Sequence, residues 1–473
     1  MKKSIIRSTW LAKGGYRLDC SPYLGGALEA LVLLEELTVR KDPLGGVTSA
    51  ILNIGRIKRQ WVETLAQGTP FLSGSSIQLA EFTNISLISN KAVRDNPLLL
   101  IKRGTTLITR SGSIGKMAYV REDMEGMACT EDVLRVVPDT AKIPSGYLYA
   151  YLSSKFGIPL ITSGTYGGII QHLEPEHIAD LPVPRLGNAM EQEIHRLIEQ
   201  AASLRVKATV EVSAARDMIR RQFGEPPHLE PGKRHAQWAG HAISSKRLSV
   251  VRRMDALYYN PISCELDEWL AQHTAGSYSL GEVAEVFDVP PFKHIYVGHE
   301  EGVPFFTSAD LFSLDRTTDK YLSTSQTKGL NKYILKRDWV LIARSGQLNG
   351  NIGLPQYVDS GLAEKAASDH VIRIVPRNDR FSAGYIYAYL SLPEWRYALI
   401  QRTATGASIP ALWPLYLKQL RILRPSKKLN NEVGMLVCSA LERRVNATML
   451  ELKAQKRLEQ ALTAKANLEK WPK

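Results

Sequence analysis

From Glu191 to Phe223 the chain runs for 33 residues without a glycine or a proline. The stretch is rich in good helix formers and Gly224-Glu-Pro-Pro227 ends it, so it predicts one long helix. Apolar residues recur at Ile194, Leu197, Ala201, Leu204, Ala208, Ala215 and Met218, and only Glu211 interrupts the spacing of three and four. This is the narrow stripe of a coiled-coil seam, unlike the broad face of a helix lying on a core. A second stretch, Asn431–Lys470, repeats it. Ala201, Ala208 and Ala215 recur 239 residues later as Ala440, Ala447 and Ala454, and Arg205-Val-Lys-Ala-Thr209 recurs as Arg444-Val-Asn-Ala-Thr448. Two helices with matching alanine seams predict a close pair, toward the ~8 Å end of interaxial distances. Each helix ends about half of the chain.

The parts before the helices repeat as well. Gly68-Thr-Pro-Phe-Leu-Ser73 answers Gly302-Val-Pro-Phe-Phe-Thr307, and Leu107-Ile-Thr-Arg-Ser-Gly112 answers Leu341-Ile-Ala-Arg-Ser-Gly346, both at an offset of 234. A short insertion in the second copy raises the offset to 238. Ala128–Pro138 then answers Ala366–Pro376, and Gly146-Tyr-Leu-Tyr-Ala-Tyr-Leu-Ser153 answers Gly384-Tyr-Ile-Tyr-Ala-Tyr-Leu-Ser391. So many collinear matches read as a tandem duplication of a domain followed by a long helix. Thr106–Thr109, Val340–Ala343, Val133–Val137 and Val371–Val375 are strand-like apolar runs. Tyr147–Ser153 and Tyr385–Ser391 sit better on helices. Each repeat is therefore expected to be mixed α and β.

With 60 Lys and Arg against 47 Asp and Glu, the net charge is +13, which favours a polyanionic partner, nucleic acid foremost. The four cysteines (Cys20, Cys129, Cys264, Cys438) form no CxxC pair, which argues against a disulfide framework and suits a reducing cytoplasm. No apolar run is long enough to span a membrane.

Catalytic motifs are missing. Gly112-Ser-Ile-Gly-Lys-Met117 suggests a phosphate loop but has Arg110 where the first glycine belongs and Met117 in place of Ser or Thr, so a tight turn between strands is the better reading. Asp288-Val-Pro-Pro-Phe292 superficially resembles the tetrapeptide of adenine methyltransferases, but Val289 cannot hydrogen-bond an amino group and no glycine-rich cofactor loop accompanies it. The histidines show no metal-binding spacing. The reading is of a chain that is not an enzyme and binds no metal or cofactor.

The order of parts resembles the specificity subunit of type I restriction–modification systems. The stretch Gly167-Gly-Ile-Ile-Gln-His-Leu173, then Leu181-Pro-Val-Pro184 and Glu191-Gln-Glu-Ile194, is similar to that family's passage from a recognition domain into its helix. The second copy departs from it: Pro410 replaces Gln171, Arg421 replaces Pro182, and Asn430-Asn431 stands in place of Glu-Gln. The resemblance implies an α+β fold with two tandem mixed α/β target-recognition domains, each followed by a long helix, the two helices pairing as an antiparallel coiled coil. It divides the chain into a first recognition domain (1–187), a first spacer helix (188–224), a basic linker (225–252), a second recognition domain (253–425) and a second spacer helix (426–473). It also implies double-stranded DNA read as a bipartite site, and two methyltransferase subunits docked on the helices and carrying S-adenosylmethionine, which motor-nuclease subunits can join.

Side chains that hold phosphates or read base edges are sought in the turns after the repeated strands. The candidates are Arg110, Ser111, Ser113, Lys116, Tyr166, Gln171 and His172 in the first copy, and Arg344, Ser345, Gln347, Asn349, Asn351, Thr405 and Ser408 in the second. Arg110 and Arg344 match, which favours phosphate or framework over base reading. Gln347, Asn349 and Asn351 lie in the unmatched insertion and suit specificity better. Glu191 and Gln192 are the candidates for subunit docking, and Ala201, Ala208, Ala215, Ala440, Ala447 and Ala454 for helix pairing. The competing readings are a DNA-recognition subunit of another defence or methylation system, a coiled-coil scaffold that binds no DNA, and an enzyme with an unrecognised centre.

Overall fold

The computed structural model describes residues 8, 11, 26–62, 64–82, 85–163, 172–227, 244–245, 248–249, 253–255, 258–259, 261–273, 276–314, 316–346, 350–396, 400–406 and 408–465. The chain is mixed α and β, and divides into two compact units, Met1–Val206 with Asn446–Lys473, and Lys207–Val445.

The strands of the first unit are β1 (Lys41–Pro43), β2 (Thr48–Leu52), β3 (Trp61–Val62), β4 (Gly68–Leu72), β5 (Leu87–Ser89), β6 (Thr106–Thr109), β7 (Met117–Tyr119), β8 (Ala128–Cys129), β9 (Val133–Pro138) and β10 (Pro182–Pro184). They form sheets in the orders β2-β9-β6-β7, β3-β5-β4-β8 and β1-β10. The second unit has β11 (Ser277–Ser279), β12 (Ala284–Phe287), β13 (Tyr296–Val297), β14 (Gly302–Phe306), β15 (Tyr321–Ser323), β16 (Val340–Ala343), β17 (Pro355–Tyr357), β18 (Ala366–Ala367), β19 (Val371–Pro376) and β20 (Arg421–Leu423). Their orders, β12-β19-β16-β17, β13-β15-β14-β18 and β11-β20, repeat those of the first unit strand for strand.

β6 and β16 are central strands with every residue buried, which is why they read as unbroken apolar runs without alternation. β9 and β19 run beside them and each carries a buried arginine, Arg135 and Arg373, 2% and 0% exposed. Backbone carbonyls satisfy part of each guanidinium: Arg135 donates through Nη2 to Leu99 and Cys129 (3.3 and 2.7 Å), Arg373 to Val371 and Ala367 (2.8 and 3.1 Å), while Arg135 Nε and Nη1 and Arg373 Nε are buried without a protein partner among the described residues. Each arginine thus ties its own four-stranded sheet to β8 or β18 of the other four-stranded sheet in the unit. Burial pulls both guanidiniums down from their ordinary value, Arg373 to about 10.

Helices Ser145–Leu152 and Ala383–Leu390 are buried along their whole length. A buried tyrosine needs a partner for its hydroxyl. Tyr147 and Tyr151 donate to the carbonyls of Pro184 and Pro182 on β10, and Tyr385 and Tyr389 to those of Leu423 and Arg421 on β20. The strand that leads into each long helix is thereby fixed to its own core.

The long helices run Asn188–Phe223 and Lys427–Lys465. The six seam alanines are all fully buried. The other seam position differs from the sequence expectation by one residue. Ile198, Arg205, Val212 and Ile219 are buried, while Leu197, Leu204 and Met218 are half-buried. The two registers flank the same alanines and each has three apolar residues and one charged one, so composition alone does not separate them: Glu211 sits in the expected register and Arg205 in the buried one. That guanidinium is buried because Glu451 of the second long helix, in the same unit, meets it with both carboxylate oxygens.

Candidate nucleic-acid interface

The turn between β6 and β7 is a hairpin, with Ile108 opposite Met117. Gly112 and Gly115 adopt positive φ (69° and 86°), a conformation glycine takes without steric cost. The hydroxyl of Thr109 closes the turn by donating to the Ser113 carbonyl and accepting from the Lys116 amide. Ser113 and Lys116 point to solvent at the tip. The phosphate-loop-like string is therefore the tight turn that its sequence suggested.

Arg110 and Arg344 follow the matched strands, and both are held by the protein. Arg110 donates to the Leu173 carbonyl (3.0 Å) and forms an ion pair with Glu174. Arg344 lies 3.4 Å from the Asp288 carboxylate and stacks on Trp413, its guanidinium 5.1 Å from the ring centroid. The backbone repeats the theme, because the Leu173 amide donates to Arg110 and the Leu412 amide to Arg344. The side chains are 12% and 16% exposed, so these arginines serve the framework and offer little guanidinium surface to a ligand. Ser111 donates to Asp132 (2.9 Å), and Ser345 shares a 2.9 Å hydrogen bond with His370, the residue in the matching place. Asp288-Val-Pro-Pro-Phe292 is accounted for in the same way: Asp288 neutralises Arg344, Val289 is buried, and Phe292 stacks on Tyr333 with ring centroids 3.7 Å apart.

In the second unit the fold gathers two candidate stretches that lie far apart in sequence. Ser345 bridges to Ala411, the Gly346 amide donates to Pro410, and Thr405 pairs with Ala411. The Trp413 indole N–H donates to the Thr405 hydroxyl (2.6 Å). Ser408 is exposed at the tip of that small hairpin, and Asn351 is half-buried at the end of the insertion. His172 is exposed next to Leu173 in the first unit. Tyr166, Gln171, Gln347 and Asn349 lie outside the described residues.

Glu191 does not sit on an outward face as expected. It is 2% exposed, and Arg185 holds both of its carboxylate oxygens at 2.9–3.0 Å while also pairing with Asp42. The hydrogen bonds that Arg185 donates to Glu191 raise its pKa above the ordinary value. Glu191 locks the start of the helix to β1 and β10 of its own unit, so it is a framework residue here; Gln192 beside it is exposed. Sequence reading also passed over β3 and β13, short edge strands that carry half-exposed aromatic residues among cations. Among the described residues no group of three His, Cys, Asp or Glu side chains is placed to hold a metal, and no helix is long and apolar enough to cross a membrane.

No protein-family model and no curated protein matches the chain. Solved structures do. The type I restriction–modification S subunit from M. genitalium is 12% identical, with 91% of this chain and 96% of that chain covered and a TM-score of 0.34. The HsdS subunit from Thermoanaerobacter tengcongensis is 15% identical over 90% and 97%, with a TM-score of 0.28. A structure reported for complex assembly and conformational transition of the type I R-M system is 15% identical over 89% and 97%, with a TM-score of 0.27. The chain is thus similar, over about nine-tenths of its length, to specificity subunits of type I restriction–modification systems.

Proposed function

We propose that this chain is a non-catalytic DNA-recognition subunit that reads a bipartite site through two recognition domains and docks methyltransferase subunits on its long helices. The observation that carries the reading is the repetition itself. The same strand order occurs twice, and each copy is tied through buried tyrosines to the strand that opens a long helix. The net charge of +13 suits a polyanion. The long helices pair antiparallel as a coiled coil in this reading. Contacts within each unit support it: Arg205 with Glu451 and Glu193 with Arg457 in one, Glu211 with Arg443 in the other. S-adenosylmethionine belongs to the methyltransferase subunits, and motor-nuclease subunits join the same assembly.

The test is to co-express the chain with a methyltransferase encoded beside it and map methylated adenines across a genome. Two short half-sites separated by a fixed number of unread base pairs are expected; one contiguous motif refutes the bipartite reading. Seven residues inserted after Val206 and seven after Val445 preserve both heptad seams and lengthen the pair by about 10 Å. The unread gap should then grow by about three base pairs, at ~3.4 Å each, with both half-sites unchanged.

A further inference from the structure

β3 and β13 stand at the edges of the four-stranded sheets β3-β5-β4-β8 and β13-β15-β14-β18. In the first, Lys58 and Arg59 precede Trp61; in the second, Lys293 and His294 precede Tyr296 in the same places. Trp61 and Tyr296 are each 50% exposed. Each leans its inner edge on a buried phenylalanine, Trp61 on Phe71 with centroids 5.4 Å apart and Tyr296 on Phe305 at 6.1 Å. The residue two places earlier flanks the same ring: the Arg59 guanidinium lies 5.5 Å from Phe71, and the His294 ring 4.8 Å from Phe305. Arg59 is largely neutralised by Glu131 at 2.8 Å, but Lys58 and Lys293 project into solvent. No acidic residue occurs from Pro43 to Val62 or from Val289 to His299.

An exposed edge strand with an outward aromatic residue is a liability in water, which folds ordinarily blunt with charge or cover. Here both copies keep the aromatic residue, anchor it against a buried ring so that it stays rigid, and place a solvated lysine three residues before it. Half-exposed aromatic residues interleaved with exposed lysines suit a nucleic-acid strand, where lysine takes phosphates and the ring packs on sugar or base. Because the two copies match, the feature serves what both domains must do, which is to hold the backbone of a duplex rather than to specify a base.

We propose that β3 and β13 are the backbone-gripping strands of the two recognition domains, with Lys58 and Lys293 on phosphates and Trp61 and Tyr296 packed beside them. This rests on the DNA-recognition reading above. The test measures binding of the full chain with its methyltransferase to a labelled random-sequence duplex by anisotropy over a salt series. The variants are Lys58→Gln with Trp61→Ala, Lys293→Gln with Tyr296→Ala, and, as a control, Lys142→Gln, an exposed lysine already paired with Asp139 at 3.2 Å. Each double variant should weaken binding and lower the slope of log K against log salt by about 0.9, one phosphate contact. Across a fourfold rise in salt it then loses about 3.5-fold less affinity than wild type. The lysine substitutions alone, on exposed side chains, should give the same slope change with unaltered thermal unfolding. Unchanged slopes with wild-type binding intact overturn the assignment of these strands and leave the recognition reading standing. Loss of methyltransferase capture without loss of DNA binding makes them a protein interface and also overturns it. Absence of salt-dependent DNA binding by the wild-type complex refutes the recognition reading itself.

Discussion

Replacing Glu451 by valine tests the buried layer of the long helices directly. Valine is the residue at position 212, the matching place in the first helix. The Arg205 and Glu451 side chains are 5% and 8% exposed, and the carboxylate meets both terminal nitrogens of the guanidinium. Glu451→Val leaves a charge in a site built for a pair, and breaking a buried pair in this way costs about 3–5 kcal/mol. For a unit of roughly 200 residues that corresponds to about 6–20 °C in the midpoint of its thermal transition. Combining Arg205→Met with Glu451→Val removes both charges and should restore stability to wild type, or exceed it by about 1–4 kcal/mol. The contrast is Arg443 with Glu211, 38% and 21% exposed at 3.0 Å, where Arg443→Met should cost less than about 1 kcal/mol. Thermal unfolding by far-UV circular dichroism reads the shift, and hydrogen exchange along 188–206 assigns it to the helix. If Glu451→Val stays within about 1 kcal/mol of wild type, or the double variant is as damaged as the single one, the pair is solvated and the reasoning fails.

Two further outcomes follow from local geometry. The Nδ1 of His195 accepts a hydrogen bond from the Gly146 amide (3.0 Å), and burial holds its pKa below the ordinary 6.5. The unfolded chain therefore takes up a proton first as pH falls, so this contribution is whole above about pH 6.5 and is lost as pH drops through the folded value. Unfolding midpoints at about pH 7.5 and about pH 5.5 should differ less in His195→Gln than in wild type, and an equal difference removes His195 as a cause. Gly384 lies against the second long helix, where an added Cβ would meet the Gly434 Cα at 2.8 Å. Gly384→Ala should cost about 1–3 kcal/mol in denaturant unfolding, whereas Gly298→Ala, with nothing within 4 Å of the added atom, should be near neutral.

Much of the framework was legible in the chain. The helix Asn188–Phe223 came within three residues of its expected start, since absent glycine and proline, then Gly224, set its limits. The strands β6, β9, β16 and β19 were visible as apolar runs because both of their faces are covered. The small edge strands were not, because Trp61–Val62 and Tyr296–Val297 are too short to show alternation. Among the candidate contacts, Ser113, Lys116, His172 and Ser408 reach solvent, while Arg110 and Arg344 are taken up by partners distant in sequence and Glu191 by Arg185 just before the helix.

The sequence by itself determined the repetition, the lengths of the two helices and the positions of their alanines, because these follow from composition and period along the chain. Only tertiary structure decided which register of each stripe is buried and which charged residues are framework. Whether Arg205 is a surface cation or a buried one depends on a carboxylate 246 residues away. Desolvating a charge is prohibitive without a partner and tolerable with one, and no local pattern records where that partner will be.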